Sequence, residues 1–402
     1  MKTTVSRRPV RVPGFRFAGV RCGLKEDGKR DVALIVSDRP AAAAGAFTRN
    51  RVRAAPVRIG QERLRAGRLQ AIVINSGNAN AYTGPSGDAV ARAMTATVAR
   101  ALGIPEALVV PSSTGKIGVP LPRARVLRGV RAACRALDTA GFAAALEGMM
   151  TTDAFPKFAV ERVTLGGRRV TIAAMAKGAG MIAPNMATLL TYVLTDACVS
   201  RAGARQALRR ALPDSFNAIV VDGDTSTNDT AILLANGVAG NAEIGPDSRA
   251  FPAFAAAVAR AMRTVARLVV KDGEGATKVV DIRVRGAASD REAARVADTI
   301  ARSPLCKTAF YGGDPYAGRL ICAAGYSGAD FSPDRLNIFV GNVAVVRRGR
   351  PQGAAAERRA ARVMARPEFA ITLDLHCGRG TAYRVASDLT AEYVHFNSAY
   401  RT

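Results

Sequence analysis

Along this chain, unbroken apolar runs alternate with segments whose apolar positions recur every three or four residues. That alternation predicts a mixed α/β protein. LQAIVINSG reads as a buried strand, the polar stretch NANAYTGPSGD as a turn, and AVARAMTATVARALG as a helix. LVVPSS reads as a strand ending in the Gly-containing turn STGKIG. Two helices are expected from Pro122 to Leu137 and from Thr139 to Met150. FAVERVTL and RRVTIAAMA alternate apolar and polar residues around Gly166-Gly167, the pattern of a hairpin with a primed turn.

The second half repeats the theme. TLLTYVLTD, NAIVVDGD and TAILLANG read as strands, and ARQALRRAL as a helix between the first two. A long amphipathic helix is expected from about Ser248 to Val270, then the strand ATKVVDIRVRG and the helix DREAARVADTIARS, with Asp290 near its start. NIFVGNVAVVRRG is strand-rich, EFAITLDL reads as a strand, and the tail AEYVHFNSAYRT reads as irregular. Repeats and low-complexity linkers are absent from the sequence.

The 402 residues are 49% hydrophobic, enough for a sizeable core, but aromatics are only 5% and Trp is absent, so Ala and Val must do most of the packing. The net charge of +26 raises the question of nucleic acid. The excess is spread along the chain in short pairs such as Arg7-Arg8, Arg168-Arg169 and Arg347-Arg348. A nucleic-acid footprint would cluster on one element, so a solvated surface is the better reading. The charge also suits attraction of anionic substrates such as carboxylates.

Cys22, Cys134, Cys198, Cys306, Cys322 and Cys377 form no CxxC pair, and only His376 and His395 could join them at a metal. Dispersed cysteines of this kind suggest buried, reduced thiols. No apolar run approaches a membrane span, and the basic, Pro-broken start lacks the apolar stretch of a secretory signal. A cytoplasmic protein with neither membrane nor nucleic-acid partner is expected. Asp222, Asp224, Thr225 and Asp229 read as a turn network rather than a cation site. His376 and Cys377 read as structural.

One segment is odd for a purely structural role. In MAKGAGMIAPNMATLL, Gly178, Gly180 and Pro184 interrupt two apolar strands, and Lys177 ends the first of them, where a charge is normally avoided. Ala187-Thr188 opens the second. A Thr hydroxyl can attack the carbonyl before it through a five-membered ring, turning the Ala187–Thr188 amide into an ester that water then cuts. A small preceding residue and a constrained backbone favour that reaction. The product carries an N-terminal Thr whose α-amine, with an ordinary pKa of about 8, can serve as base for its own hydroxyl. The plain alternative is a Gly-rich loop entering a strand.

KGAGMIAPNMATLL closely resembles the cleavage segment of the ornithine acetyltransferase (glutamate N-acetyltransferase) family, K-G-x-G-M-I-x-P-N-M-A-T followed by apolar residues. The resemblance runs through GFRFAGVRCGLK, FTRNRVRAAPV, INSGNANAYTG, PSSTGKIG, MMTTDAFPK, VDGDTSTNDT, KDGEGATK and YVHFNSAYRT, nearly the whole chain. It implies the family's own α/β fold with an N-terminal-nucleophile-like site. It further implies self-cleavage into an α chain (1–187) and a β chain (188–402), and assembly of two of each as a heterotetramer. The implied reaction is a ping-pong transfer in which Thr188 takes acetyl from N-acetylornithine and gives it to glutamate, without metal or organic cofactor. Whether acetyl-CoA also serves as donor is left open.

By the same resemblance, Thr188 is the nucleophile and Thr114 and Gly115 form the oxyanion hole. Lys177, Thr151, Glu274, Asn397 and Thr402 bind substrate, with Thr152 the alternative to Thr151. Lys177 suits a substrate carboxylate and Glu274 an ammonium. Without the motif, each has an ordinary reading: a strand-end lysine, a turn at Thr114-Gly115, a helix cap at Thr152 or Asp153, and a solvated turn at Glu274. Lys116 stands where the family usually has an apolar residue, which bears on substrate preference. Tyr82 stands where a Cys is common, and SDLT where a Cys-Asp pair is common. Two rival readings are a Thr-nucleophile amidohydrolase or aminopeptidase, and an uncleaved, inactive binding protein.

Overall fold

The computed structural model describes residues 10–183 and 189–399. Before residue 184 the elements are β1 (Phe15–Val20), β2 (Val32–Phe47), α1 (Ala55–Leu64), β3 (Arg68–Asn78), α2 (Gly84–Leu102) and β4 (Val109–Lys116). They continue with α3 (Arg123–Arg135), α4 (Phe142–Met149), β5 (Lys157–Leu165) and β6 (Arg168–Lys177). After residue 188 come β7 (Leu190–Thr195), α5 (Arg201–Ala211), β8 (Ile219–Val220), β9 (Thr230–Ala235), α6 (Phe251–Lys271), β10 (Val279–Ala287), α7 (Asp290–Arg302), α8 (Pro304–Gly312) and α9 (Gly318–Gly325). The chain ends with β11 (Asn337–Val340), β12 (Val343–Arg347), β13 (Arg350–Pro351), α10 (Gly353–Met364), β14 (Glu368–Asp374), β15 (Gly380–Ser387) and α11 (Ala391–Ala399).

The strands make two mixed sheets. The first has the order β4-β3-β2-β9-β7-β6-β5, with β1 also on β2; the second runs β13-β12-β11-β14-β10-β15-β8. β2 is long enough to serve three partners: Val32–Ser37 pairs with β1, Val32–Val36 and Ala41–Ala42 with β3, and Ala42–Phe47 with β9. Pro40, which cannot donate to a ladder, falls where the β2–β3 register shifts between Val36 and Ala41.

The unbroken apolar runs have a simple cause: both faces of the first sheet are covered. In β2, Ala33 and Ile35 face α4 while Val32, Leu34 and Val36 face α2 and α3. In β9, Ile232 and Leu234 share the α4 core, and Ala231, Leu233 and Ala235 share the core built by α5 and α6. That second core also takes in Val279 and Val385 of the other sheet, so α6 is packed between the two sheets. Its small residues Ala257, Ala261 and Ala266 are all fully or almost fully buried, as a helix covered on several sides requires.

Most expected elements are present, including the hairpin, whose Gly166 and Gly167 both have positive φ. The two glycines join antiparallel strands closed by the Leu165–Arg168 pair, as a primed turn does. α7 starts at Ser289, whose hydroxyl accepts from the Glu292 amide. Four expectations need correction. α2 begins at Gly84, inside the stretch read as a turn. Thr114–Lys116 belongs to β4, because β3 pairs with it throughout. Of NAIVVDGD, only Ile219–Val220 is a strand, since the Val221 amide leaves the ladder to bond the Ile182 carbonyl. The tail is helical at α11 rather than irregular. The cysteines carry no disulfide, but only Cys306 is buried, and Cys322 and Cys377 are exposed. No helix among the described residues is long and apolar enough to cross a membrane.

Candidate active site

The ends of β4 and β6 and the turns before β9 and after α6 meet around one cavity of about 630 Å3, measured out to its open mouth. Thr114 and Gly115 come from β4, Lys177 from β6, Thr151 and Thr152 from the segment after α4, and Glu274 from the turn after α6. Leu189, the residue after Thr188 in the chain, lines the same cavity. Ala187, Thr188 and Thr402 lie outside the described residues.

Lys177 is 8% exposed, and its ammonium donates to Thr114 Oγ1 at 3.2 Å. Burial pushes its pKa down from the ordinary lysine value, while Asp153, Glu274 and Asp229 pull it back up. Glu274 accepts from Thr152 Oγ1 at 2.7 Å and from Asn397 Nδ2 at 3.1 Å. The C-terminal helix α11 therefore reaches the cavity wall through Asn397. Of the two candidate threonines, it is the Thr152 hydroxyl that touches Glu274. Thr151 is tied by its amide to Asp153 Oδ2 at 2.8 Å.

The glycines around the site are there for space. A Cβ on Gly180 would sit 2.3 Å from a Glu274 oxygen, so the K-G-x-G spacing leaves room for that carboxylate. Gly115 has φ 130, and a Cβ there would lie 2.4 Å from the Gly77 backbone, where β3 and β4 close on each other. Gly178, at φ 151, donates its amide to Asp153 Oδ1 at 2.6 Å.

Asp153 is therefore no helix cap. It belongs to a buried triad in which the fully enclosed Lys157 ammonium bridges Asp153 and Asp272. Burial alone would raise the Asp153 carboxyl, but Lys177, Lys157 and its hydrogen bonds outweigh it and hold the group below the usual carboxylate range. Asp272 is pushed up, by burial first and by Asp153, against the pull of Lys157. The triad ties the segment after α4 to the end of α6, and so sets Thr152 against Glu274. Lys157→Met is expected to lower the unfolding free energy by about 3–5 kcal/mol, because it strands two buried carboxylates. Chemical denaturation measures this, and a loss below about 1 kcal/mol would show the triad to be incidental.

Asp229 was not among the expected site residues, yet it lines the cavity at 1% exposure. Neither of its oxygens accepts a hydrogen bond from a described residue in good geometry. Burial pushes its carboxyl well above the usual range, opposed by the nearby Ser226 and Thr48 hydroxyls and by Lys177. Its neighbour Asn228 bonds the Ala79 and Ser113 carbonyls, which fastens the turn before β9 to the ends of β3 and β4. Only an Asn-Asp pair heading an apolar strand could have signalled either role. Lys116 turns away into an adjoining cavity with Lys25 and Arg125 and pairs with Glu26 at 3.3 Å. The described residues bring no His, Cys, Asp or Glu together as a metal site.

The ArgJ family profile matches residues 16–402, almost the entire chain. The chain belongs to the ArgJ family. It is 48% identical over 391 residues to the arginine biosynthesis bifunctional protein ArgJ of Geobacter sulfurreducens, covering 97% of this chain and all of that one. With the ArgJ of Symbiobacterium thermophilum it shares 50% identity, covering 97% of both chains. A crystal structure of ArgJ from Bacillus halodurans superposes with a TM-score of 0.50 at 38% identity, covering 52% of this chain and 98% of that chain. As an ArgJ protein, the chain is an acetyltransferase of arginine biosynthesis with a mixed α/β fold. Membership favours that activity over the hydrolase and the inactive binding protein.

Proposed function

We propose that this ArgJ protein cuts itself between Ala187 and Thr188 and then uses Thr188 to move acetyl from N-acetylornithine to glutamate. The observation that carries the reading is the meeting of Thr114, Lys177 and Glu274, from three distant parts of the chain, around a cavity walled by Leu189, with Asn397 of the tail bonded to Glu274. In the cut, Thr188 Oγ bonds to the Ala187 carbonyl carbon and the C–N bond breaks. The hydroxyl proton passes to the departing nitrogen, and water then splits the ester into the Ala187 carboxylate and the Thr188 hydroxyl. The ArgJ chain solved from Bacillus halodurans corresponds to about half of this one, which accords with a precursor divided in two.

In the transfer, the freed α-amine takes the Thr188 hydroxyl proton as Oγ attacks the acetyl carbon. The Thr114 hydroxyl and Gly115 N–H stabilise the oxyanion, and ornithine leaves with the proton. Glutamate then attacks the acetyl-Thr188 ester by its α-amine, the bond from the acetyl carbon to Thr188 Oγ breaks, and the proton shed by the amine returns through the Thr188 α-amine to Oγ as N-acetylglutamate leaves. Lys177 pairs with a substrate carboxylate, and Glu274, held by Thr152 and Asn397, faces an ammonium. Thr152 is the threonine we assign to this wall, with Thr151 beside it. Thr402 is assigned a further substrate contact. No metal or organic cofactor takes part, and the two chain types assemble as a heterotetramer in the cytoplasm.

Incubation of the purified protein with N-acetylornithine and glutamate should release ornithine and acetylglutamate in equal amounts. Release of acetate instead would favour the hydrolase. Asn397→Ala is expected to be cut normally and to lose at least about tenfold in transfer, since it frees Glu274 from a partner inside the site. Full transfer in that variant would reduce α11 to a surface helix.

A further inference from the structure

We propose that the turn 221–230 is a clamp that holds both ends of the scissile segment, and that Asp222 is its principal grip and a positioning residue for self-cleavage. The inference rests on the self-cleavage reading. Before the segment, Asp222 accepts from two consecutive amides, Met181 N and Ile182 N, the second at 2.9 Å. The Val221 amide donates to the Ile182 carbonyl at 2.7 Å, and Thr225 Oγ1 donates to the Ala183 carbonyl at 3.1 Å. After the segment, the Thr230 amide donates to the Leu189 carbonyl at 2.8 Å, and Leu190 pairs with Thr230 in the sheet. Ten residues of one turn thus fix the last described residues on both sides of 184–188.

The clamp is itself fastened. Thr48 Oγ1 and Asn50 Nδ2 hold the Ser226 and Thr225 carbonyls, Asn228 is bonded to Ala79 just after β3 and to Ser113 of β4, and Arg302 holds the Gly223 carbonyl. Met181 is held at φ 58, a left-handed conformation that costs a residue other than Gly roughly 1 kcal/mol or more. Asp222 takes its amide and the next one, which offsets that cost. An intramolecular attack is acutely sensitive to how its reacting groups are held, and a misplacement of about 1 Å can cost about 100-fold in rate. Fixing both ends of the segment against one turn supplies that control.

The test is a time course of cell-free synthesis, with full-length and cut chains resolved by intact mass. Asp222→Ala is expected to slow cutting about 100-fold, and Asp222→Asn, which keeps one acceptor oxygen, to slow it less. Thr225→Val removes the separate tie to Ala183 and should also slow cutting, which covers the case in which Asp222→Ala fails to fold. Asp196→Ala is the structural control: Asp196 is a buried carboxylate that accepts from the Thr171 amide at 2.7 Å, just past the end of β7 that lies opposite Leu190. It should lower thermal stability and leave cutting at the wild-type rate. Wild-type cutting by a folded Asp222→Ala or Thr225→Val chain, or equal slowing by Asp196→Ala, overturns the clamp while leaving self-cleavage intact. A wild-type chain that stays whole overturns the self-cleavage reading, and the clamp with it.

Discussion

Thr188→Ala is expected to remain a single chain of 402 residues and to transfer no acetyl group. Freshly purified wild-type protein should instead give two masses, one ending at Ala187 and one beginning at Thr188. Alanine has no oxygen to attack the preceding carbonyl, so the ester cannot form. Without the cut there is no free α-amine to serve as base, and without the hydroxyl there is nothing to carry the acetyl group. The variant therefore fails twice, and its residual activity should equal that of buffer. Thr188→Ser keeps the oxygen at the same reach and should still be cut and still transfer. A wild-type chain that stays whole for days, or an Ala variant that appears as two chains, would remove Thr188 from the centre of the chemistry.

Thr114→Ala is expected to lower kcat by about 100-fold or more, with a smaller change in KM. The hydroxyl lies at the end of β4, on the cavity wall, and accepts from the Lys177 ammonium at 3.2 Å. Negative charge grows on the acetyl oxygen only as the tetrahedral intermediate forms, so a donor aimed there acts on the transition state rather than on bound substrate. The Ala variant also leaves Lys177 without that acceptor, which is where any change in KM would come from. Thr114→Ser restores the hydroxyl and should recover most of kcat. A change confined to KM would make Thr114 a holder of Lys177 only. Gly115 cannot be tested by the same substitution, because a Cβ there collides with the Gly77 backbone, and folding and catalysis would fail together.

Several elements could be read directly from residue pattern because the forces that make them are local. Gly166-Gly167 between alternating strands is enough for a hairpin. Ser289 with Glu292 three residues later is enough to start α7. The tail was misread for the opposite reason. AEYVHFNSAYRT has no apolar stripe at helical spacing, and α11 is held by outside contacts: Thr390 Oγ1 caps toward Tyr393 and bonds the Gly275 carbonyl, and Asn397 reaches Glu274. Lys157 could not be read as a buried bridge either. Its partners lie 4 and 115 residues away in sequence, and no local pattern distinguishes it from a surface lysine.

By itself, the sequence determined the family, the candidate nucleophile and the residue types around it, because the segment from Lys177 to Thr188 and motifs along nearly the whole chain resemble one family's pattern. Only the tertiary structure decided which of those residues meet. Thr114 and Lys177 are 63 positions apart and Asn397 and Glu274 are 123 apart, yet each pair is within hydrogen-bonding distance. It also decided which carboxylates count. Asp153, Asp222, Asp229 and Asp272 look alike in sequence, each an Asp beside small or polar residues. What separates them is the field each is buried in: two lysines around Asp153, a shared ammonium at Asp272, three backbone amides at Asp222 and no aligned donor at Asp229. Burial and the placement of opposite charge set the behaviour of an ionisable group, and both are properties of the folded chain rather than of the residues on either side.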